Sequence, residues 1–236
     1  MNETRSIPVI PIGLTLLMAV VSAVAALALW GGNDAHAGHA HGASPATHSI
    51  SAAGEISSRE LTLRQEMRRL WEDHVTWTRL AVISLTTGSP DTQATVARLL
   101  RNQADIGNAI KPFYGAAAGR QLTQLLREHI TIAADLIGAA KTGDQANVAA
   151  EQAAWRGNAD EIAGFLNKAN PRSWKLGEMR GMLHAHLALT TREVVARLQS
   201  KWAVDVRNYD AIHLQAFGMA DMLSDGLVAQ FPARFR

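Results

Sequence analysis

Leu70-Trp71-Glu72-Asp73-His74-Val75-Thr76-Trp77-Thr78-Arg79-Leu80-Ala81 is the stretch on which the fold turns. Leu70, His74, Trp77 and Ala81 recur at steps of three and four residues, the seam of an amphipathic helix rather than the two-residue alternation of a strand. Outward from this stretch the helical pattern starts near residue 57 and stops at Gly88. Ser89 or Asp91 opens a second helix that reaches about 111, before Pro112. A third runs from about 117 to 142 and stops at Gly143, and Asp144 caps a fourth that ends near 169, before Asn170-Pro171. A fifth follows Ser173 and ends near 201, and a sixth covers about 203–230, before Pro232. Asp and Ser at starts, Gly at ends and Pro just beyond are helix punctuation. The expected fold is an all-α antiparallel bundle of about six helices over residues 57–236, with no strand.

The six helices read as three copies of one α-hairpin. A shift of 55 positions takes Leu70 to Leu125, His74 to His129, Thr76 to Thr131 and Gly88 to Gly143. It also takes Arg101 to Arg156, Ala104 to Ala159 and Asp105 to Asp160. In the third, more diverged copy His186 stands for the histidine, Ala220-Asp221 for the Ala-Asp pair and Pro232 for the closing proline. A helix–turn–helix unit of this length buries its apolar face only against its neighbours. Side-by-side packing would make the odd-numbered helices parallel and set the three histidines in one layer, roughly 21 Å from the turns at 1.5 Å per residue.

Each of these histidines sits on an apolar seam: His74 as above, His129 among Leu122, Leu125, Ile132 and Leu136, and His186 among Met179, Met182 and Leu189. One reading is a structural histidine inside each hairpin, hydrogen-bonded to a residue such as Asn102 or Asn158. The other is a shared site, because imidazole is a common metal ligand and bundle cores host such sites. That site would use His74, His129, His186 and His213, with Asp210 or Asp221 as carboxylate support, for a transition-metal ion (Cu, Zn, Fe or Mn). Asp210 and His213 share a helix face and match half of the Glu-x-x-His pattern of carboxylate-bridged metal bundles. No second carboxylate-x-x-His occurs in the domain, which disfavours a di-iron oxidase.

Met179-x-x-Met182 and Met219-x-x-Met222 are core filler or soft-metal ligands, thioether and imidazole together suiting Cu(I). A hairpin turning near Trp202 would set Met182 opposite Asp221 and His184 opposite Met219. Arg101–Asp105 and Arg156–Asp160 have the spacing of helix-surface ion pairs and read as salt bridges or inter-hairpin anchors. The tryptophans, Trp71, Trp77 and Trp155 among them, read as core anchors.

Ahead of the domain, residues 8–30 form an apolar run without a charge, long enough to cross a bilayer core of about 30 Å. Residues 1–30 therefore read as an N-terminal transmembrane anchor or signal segment, with Arg5 before the run and Asp34 after it directing the domain to the extracytoplasmic side. Ala26-Leu27-Ala28 and Ala35-His36-Ala37 have the form of signal cleavage sites, and cleavage would make the protein secreted. Residues 31–56 read as a flexible tether in which His36, His39, His41 and His48 are either incidental or a weak metal-binding tract.

Leu70–Arg79, Asp91–Thr95 (Asp-Thr-Gln-Ala-Thr), Leu99–Ile110, Asn158–Ala163 and Met219–Gly226 resemble stretches of a family of bacterial helical proteins to which no activity is firmly assigned. The likeness covers about residues 65–232. Some members carry the labels acetylglutamate kinase or glycosyltransferase. Both activities need an α/β sheet with phosphate-binding loops, which this chain lacks, so the resemblance implies a helical fold and no catalytic residues.

The composition narrows the function further. The 236 residues include no cysteine, which excludes disulfides, thiolate zinc sites, iron–sulfur clusters and thiol nucleophiles. A formal charge of +2 argues against a nucleic-acid partner. There is no P-loop, no Gly-x-Ser-x-Gly and no His-Glu-x-x-His. The sequence therefore points to a membrane-tethered binding protein with a core-histidine metal site. The alternatives are a ligand-free structural or protein-interaction bundle, with a protein partner or a second copy of itself, and, disfavoured for want of an acid–base or nucleophile set, a metal-dependent enzyme.

Overall fold

A computed structural model describes residues 56–236. The expected anchor, and all but the last residue of the tether, lie outside the described residues. Among the described residues the chain is all-helical: α1 (Ser58–Thr87), α2 (Thr92–Ala109), α3 (Lys111–Thr142), α4 (Gln145–Ala169), α5 (Leu176–Leu198) and α6 (Trp202–Gln230), closed by a 3-10 turn (Pro232–Arg234). None of these helices is long and apolar enough to cross a membrane.

The punctuation works as the residue types require. The Ser57 hydroxyl accepts from Glu60 N at 3.2 Å, and an Asp144 carboxylate oxygen accepts from Asn147 N at 3.1 Å, each satisfying an orphan amide of the first turn. Gly88 and Gly143 end α1 and α3 in the left-handed region, at φ 71° and 79°. Pro112 occupies the first turn of α3, where a missing N–H costs nothing, and Gly115 at φ 84° and ψ 170° breaks the helical backbone, so the regular part of α3 begins just after it, close to the expected start near 117.

Each helix packs on the next, and α6 closes the ring on α1. α1 also touches α3 and α5, so the odd-numbered helices gather toward the middle. The main core runs through all six helices and includes Leu70, Trp71, Ile106, Leu122, Trp155, Ile162, Trp174, Met179 and Met219. Trp174 is seated by a glycine: a Cβ on Gly226 would lie 2.1 Å from the indole nitrogen. Trp71, Trp155 and Trp174 are buried as expected, whereas Trp202 is 56% exposed and lies beneath the Arg197 guanidinium.

A second kind of contact ties α1, α5 and α6. Arg79 donates to Glu193 at 2.7 Å and to both carboxylate oxygens of Asp205, and Arg197 donates to Asp205 at 2.9 Å. Glu193 and Asp205 are each 1% exposed. Two cations and two anions balance, so no net charge is buried. The arrangement tolerates the loss of any one member poorly, because an unpaired buried ion is left behind.

Two predictions follow from this packing. Arg79→Ala leaves Glu193 wholly and Asp205 partly uncompensated and lowers unfolding free energy by about 3–5 kcal/mol, measured by urea denaturation. Gly226→Ala forces Trp174 out of its seat and costs about 1–3 kcal/mol, with a shift in the Trp174 fluorescence; an unchanged urea midpoint would contradict that packing.

Candidate functional site

The site is built where α1, α3 and α5 approach the middle of the bundle. On each of these helices one histidine occupies a seam position, and all three are buried: His74 is 4% exposed, His129 5% and His186 4%. They line a single cavity together with Thr78, Ala81, Leu99, Trp155 and Thr190, with about 30 Å³ open to a water-sized group.

One hydrogen-bonding arrangement recurs beside all three rings. His129 Nδ1 lies 2.9 Å from Asn158 Oδ1, and the Asn158 amide donates its N–H to the carbonyl of Leu125 at 3.1 Å. His186 Nδ1 lies 3.2 Å from Gln215 Oε1, and the Gln215 amide donates to the carbonyl of Met182 at 3.1 Å. The Asn102 amide donates to the carbonyl of Leu70 at 3.0 Å, while the group beside His74 Nδ1 is Gln103 Nε2 at 3.3 Å. In each case the amide comes from the following helix, and the carbonyl belongs to the residue four before the histidine, one turn back along its own helix. At His129 and His186 the carbonyl fixes which end of the amide is the donor, so the amide oxygen faces the ring and Nδ1 carries the proton.

Gln103 adds to the first of these. Its Nε2 has three acceptors in range, Leu99 O at 2.9 Å, Asn102 Oδ1 at 3.2 Å and His74 Nδ1 at 3.3 Å. Its two hydrogens serve the two shorter contacts. The rings then differ in Nε2. That of His129 accepts from the indole N–H of Trp155 at 3.2 Å, so both its nitrogens are used within the protein. The structure gives no protein partner to Nε2 of His74 or His186, whose rings lie 6.0 Å apart between centroids. Thr78 Oγ1, on the same cavity, is buried without a partner.

Burial lowers the pKa of all three rings, with the proximity of the others adding to it: His74 falls from 6.5 to about 3 and His129 to about 4, the neighbouring His186 contributing in each case. His186 is lowered by burial and partly restored by Gln215. At neutral pH the site is a layer of uncharged imidazoles.

The remaining expected ligands do not join this layer. α6 turns Ile212, Ala216, Met219, Ala220, Leu223 and Leu227 inward. Residues 210, 213 and 221 therefore fall on its flanks. Asp210 is exposed. His213 stacks between Tyr209 and Phe217, with Nε2 3.8 Å from a Glu72 oxygen. Asp221 is held by both oxygens to Arg68 at 2.7 Å, and that guanidinium lowers its pKa. Among the described residues no group of three or more His, Cys, Asp or Glu is placed to hold a metal.

Asp160 pairs with His184 at 2.9 Å and Arg180 at 3.4 Å on the next hairpin, the inter-hairpin anchor rather than an ion pair with Arg156 along its own helix. One further expectation is corrected. Gln215, not Asp221, reaches Met182, because the α5–α6 turn centres on Gln199–Lys201, before Trp202. Sequence reasoning named Asn102 and Asn158 as partners and missed Gln103, Gln215 and the second bond of Trp155. A usable signal was present: an amide residue follows each histidine by 28 or 29 positions, 74 to 102, 129 to 158 and 186 to 215.

No protein-family model, curated protein or solved structure matches the chain.

The buried histidines carry a pH dependence whose sign is fixed. An unfolded chain takes up protons below pH 6.5, and the folded rings of His74 and His129 do not until about pH 4 or lower, so acid favours unfolding. Each of these two rings contributes about 1.4 kcal/mol per pH unit in that window. Stability should be flat above pH 7 and fall from pH 6.5 to 5, a range in which few exposed carboxylates titrate, and His129→Gln should lower the slope by about one such contribution. Urea midpoints across that range provide the check; a flat profile would mean the rings are not buried neutral.

Proposed function

We propose that this chain is a membrane-tethered, extracytoplasmic binding protein that holds a transition-metal ion within its helical bundle, and not an enzyme. The observation that carries the reading is that three buried histidines from three helices, His74, His129 and His186, line one cavity, Nδ1 of the latter two lying beside amide oxygens. An amide acceptor on the far nitrogen is the usual device for orienting a ligating imidazole and keeping its second nitrogen available. The ligand set is smaller than the sequence suggested, without His213, Asp210 or Asp221. The apolar run 8–30 supports the tether.

The same contacts favour reading the bundle as three copies of one hairpin. A histidine, an amide on the next helix and the carbonyl one turn back form one local unit, and its recurrence at near-constant spacing is what a duplicated helix–turn–helix would leave behind.

The competing function, a structural or interaction bundle without a ligand, is favoured by His129, whose nitrogens are both satisfied internally, and by Trp202, Val206 and Leu214, which are exposed at 56%, 50% and 74%. Metal analysis of the full chain, purified in mild detergent, separates the two. The binding reading expects retained metal, and a thermal midpoint that falls with chelator and recovers with one of Cu, Zn, Fe or Mn, since a ligand specific to the folded state raises its stability. No retained metal and no shift with any of the four would leave the interaction bundle standing.

A further inference from the structure

We infer that the solvent face of α6, over its first turns, is a self-association surface. Two copies of this chain pack there as antiparallel helices about a twofold axis that passes between Asn208 and Tyr209. α6 packs on α1 and α5 and turns Asp205, Ile212, Ala216 and Met219 inward. Its opposite side carries Ala203, Val206, Arg207, Asp210, Ala211 and Leu214, all exposed and all on one helix face by their spacing. Four of these six are apolar, and Val206 is 50% exposed and Leu214 74%. A face left to water is polar, as that of α3 is with Arg120, Gln124, Arg127, Glu128 and Asp135. The apolar face on α6 is the kind that a partner covers.

This face is complementary to itself when reversed. Leu214 falls opposite Ala203, Val206 opposite Ala211 and Arg207 opposite Asp210, each pair straddling the same midpoint. A large side chain therefore meets a small one in every apolar pair, and the cation of each copy meets the anion of the other. Neither Arg207 nor Asp210 has an ion-pair partner within the chain among the described residues. A twofold contact requires this reciprocity, because residue i meets residue j and j meets i. Ala203 and Ala211 let the two helix axes approach to about 8 Å, the close end of the range for packed helices. Trp202 and Val204, 56% and 37% exposed, stand at the two edges of the face.

Other occupants fit less well. Lys201 and Trp202 would suit lipid headgroups, but Asp210 lies in the middle of the face and would be pressed against acidic headgroups or acyl chains. A different protein could cover the face, but it would not require the residues to match one another under reversal. A contact of one helix face per copy is small, and interfaces below about 1,200 Å² belong to transient complexes, so the dimer forms reversibly. Whether the histidine cavity holds a metal has no bearing on this face, which lies on the far side of α6 from the core.

The test follows the mass of the full chain by sedimentation equilibrium in a density-matched mild detergent, from low to high micromolar protein. The expected result is a reversible monomer–dimer equilibrium. Arg207→Asp and Asp210→Arg each set like charges opposite one another twice in the dimer, and each weakens association by about tenfold or more. The double variant Arg207→Asp/Asp210→Arg exchanges the charges and restores association to within about threefold of the unsubstituted chain. Leu214→Lys also weakens it, by removing the largest apolar contact. Circular dichroism checks that every variant is folded, and all three positions are exposed, so the bundle tolerates the changes. A chain that stays monomeric throughout overturns the inference and leaves the face to a lipid surface or another protein. A dimer that none of the substitutions weakens is held by another surface, residues 8–30 included, and also overturns it. Weakening in both single variants without recovery in the double variant overturns the antiparallel twofold pairing.

Discussion

A histidine ring buried in a helical core must have its polar atoms satisfied there, and this bundle is organised around that requirement. The carbonyl one turn before each histidine is already engaged in its helix, but an sp² oxygen can accept twice, and it takes an amide N–H from the neighbouring helix as a second bond. At His129 and His186 the amide, fixed at one end, presents its oxygen to the ring at the other. A single side chain therefore locks two helices in register, orients the ring and selects its tautomer. A residue in these positions that could pack but not hydrogen-bond would leave a buried donor or acceptor unpaired.

The layer that results is uncharged, and the end of the bundle beyond it is not. Arg79, two turns or less from His74 along α1, reaches Glu193 and Asp205, which are almost wholly buried. The two devices solve the problem of interior polarity differently. The histidine layer keeps its groups neutral and hydrogen-bonded; the Arg79 network keeps its groups ionised and balanced. Between them they fix α1 against α2, α5 and α6. Polar cores of this kind are a means of choosing one arrangement of helices among many that would bury the same apolar area.

Much of this was legible from spacing alone. Leu70, His74, Trp77 and Ala81 imply a helix with a buried histidine, and Ser57, Gly88, Gly143 and Asp144 stand at the ends where the caps form, because capping depends on a handful of neighbouring residues. Pro112 reads equally well as a stop or as a first-turn residue, and the break at Gly115 lets it be a first-turn residue while the regular helix begins beyond it. His213, Asp210 and Asp221 were drawn into the site by residue type and by a register that proved wrong. A helix drifts against any assumed partner by 100° per residue, so a shift of a few positions in the α5–α6 turn moves a side chain from the core to a flank.

The sequence by itself determined the all-helical class of the described domain, the approximate bounds of its helices, the burial of His74, His129 and His186 and the absence of thiol chemistry. Those follow from period, caps and composition, which are local. Tertiary structure alone decided that the three rings meet on one cavity, that Trp155 closes His129, and that Asp221 belongs to Arg68. Each of these depends on which faces of distant helices come together, and that is set by packing over the whole bundle rather than by any stretch of chain.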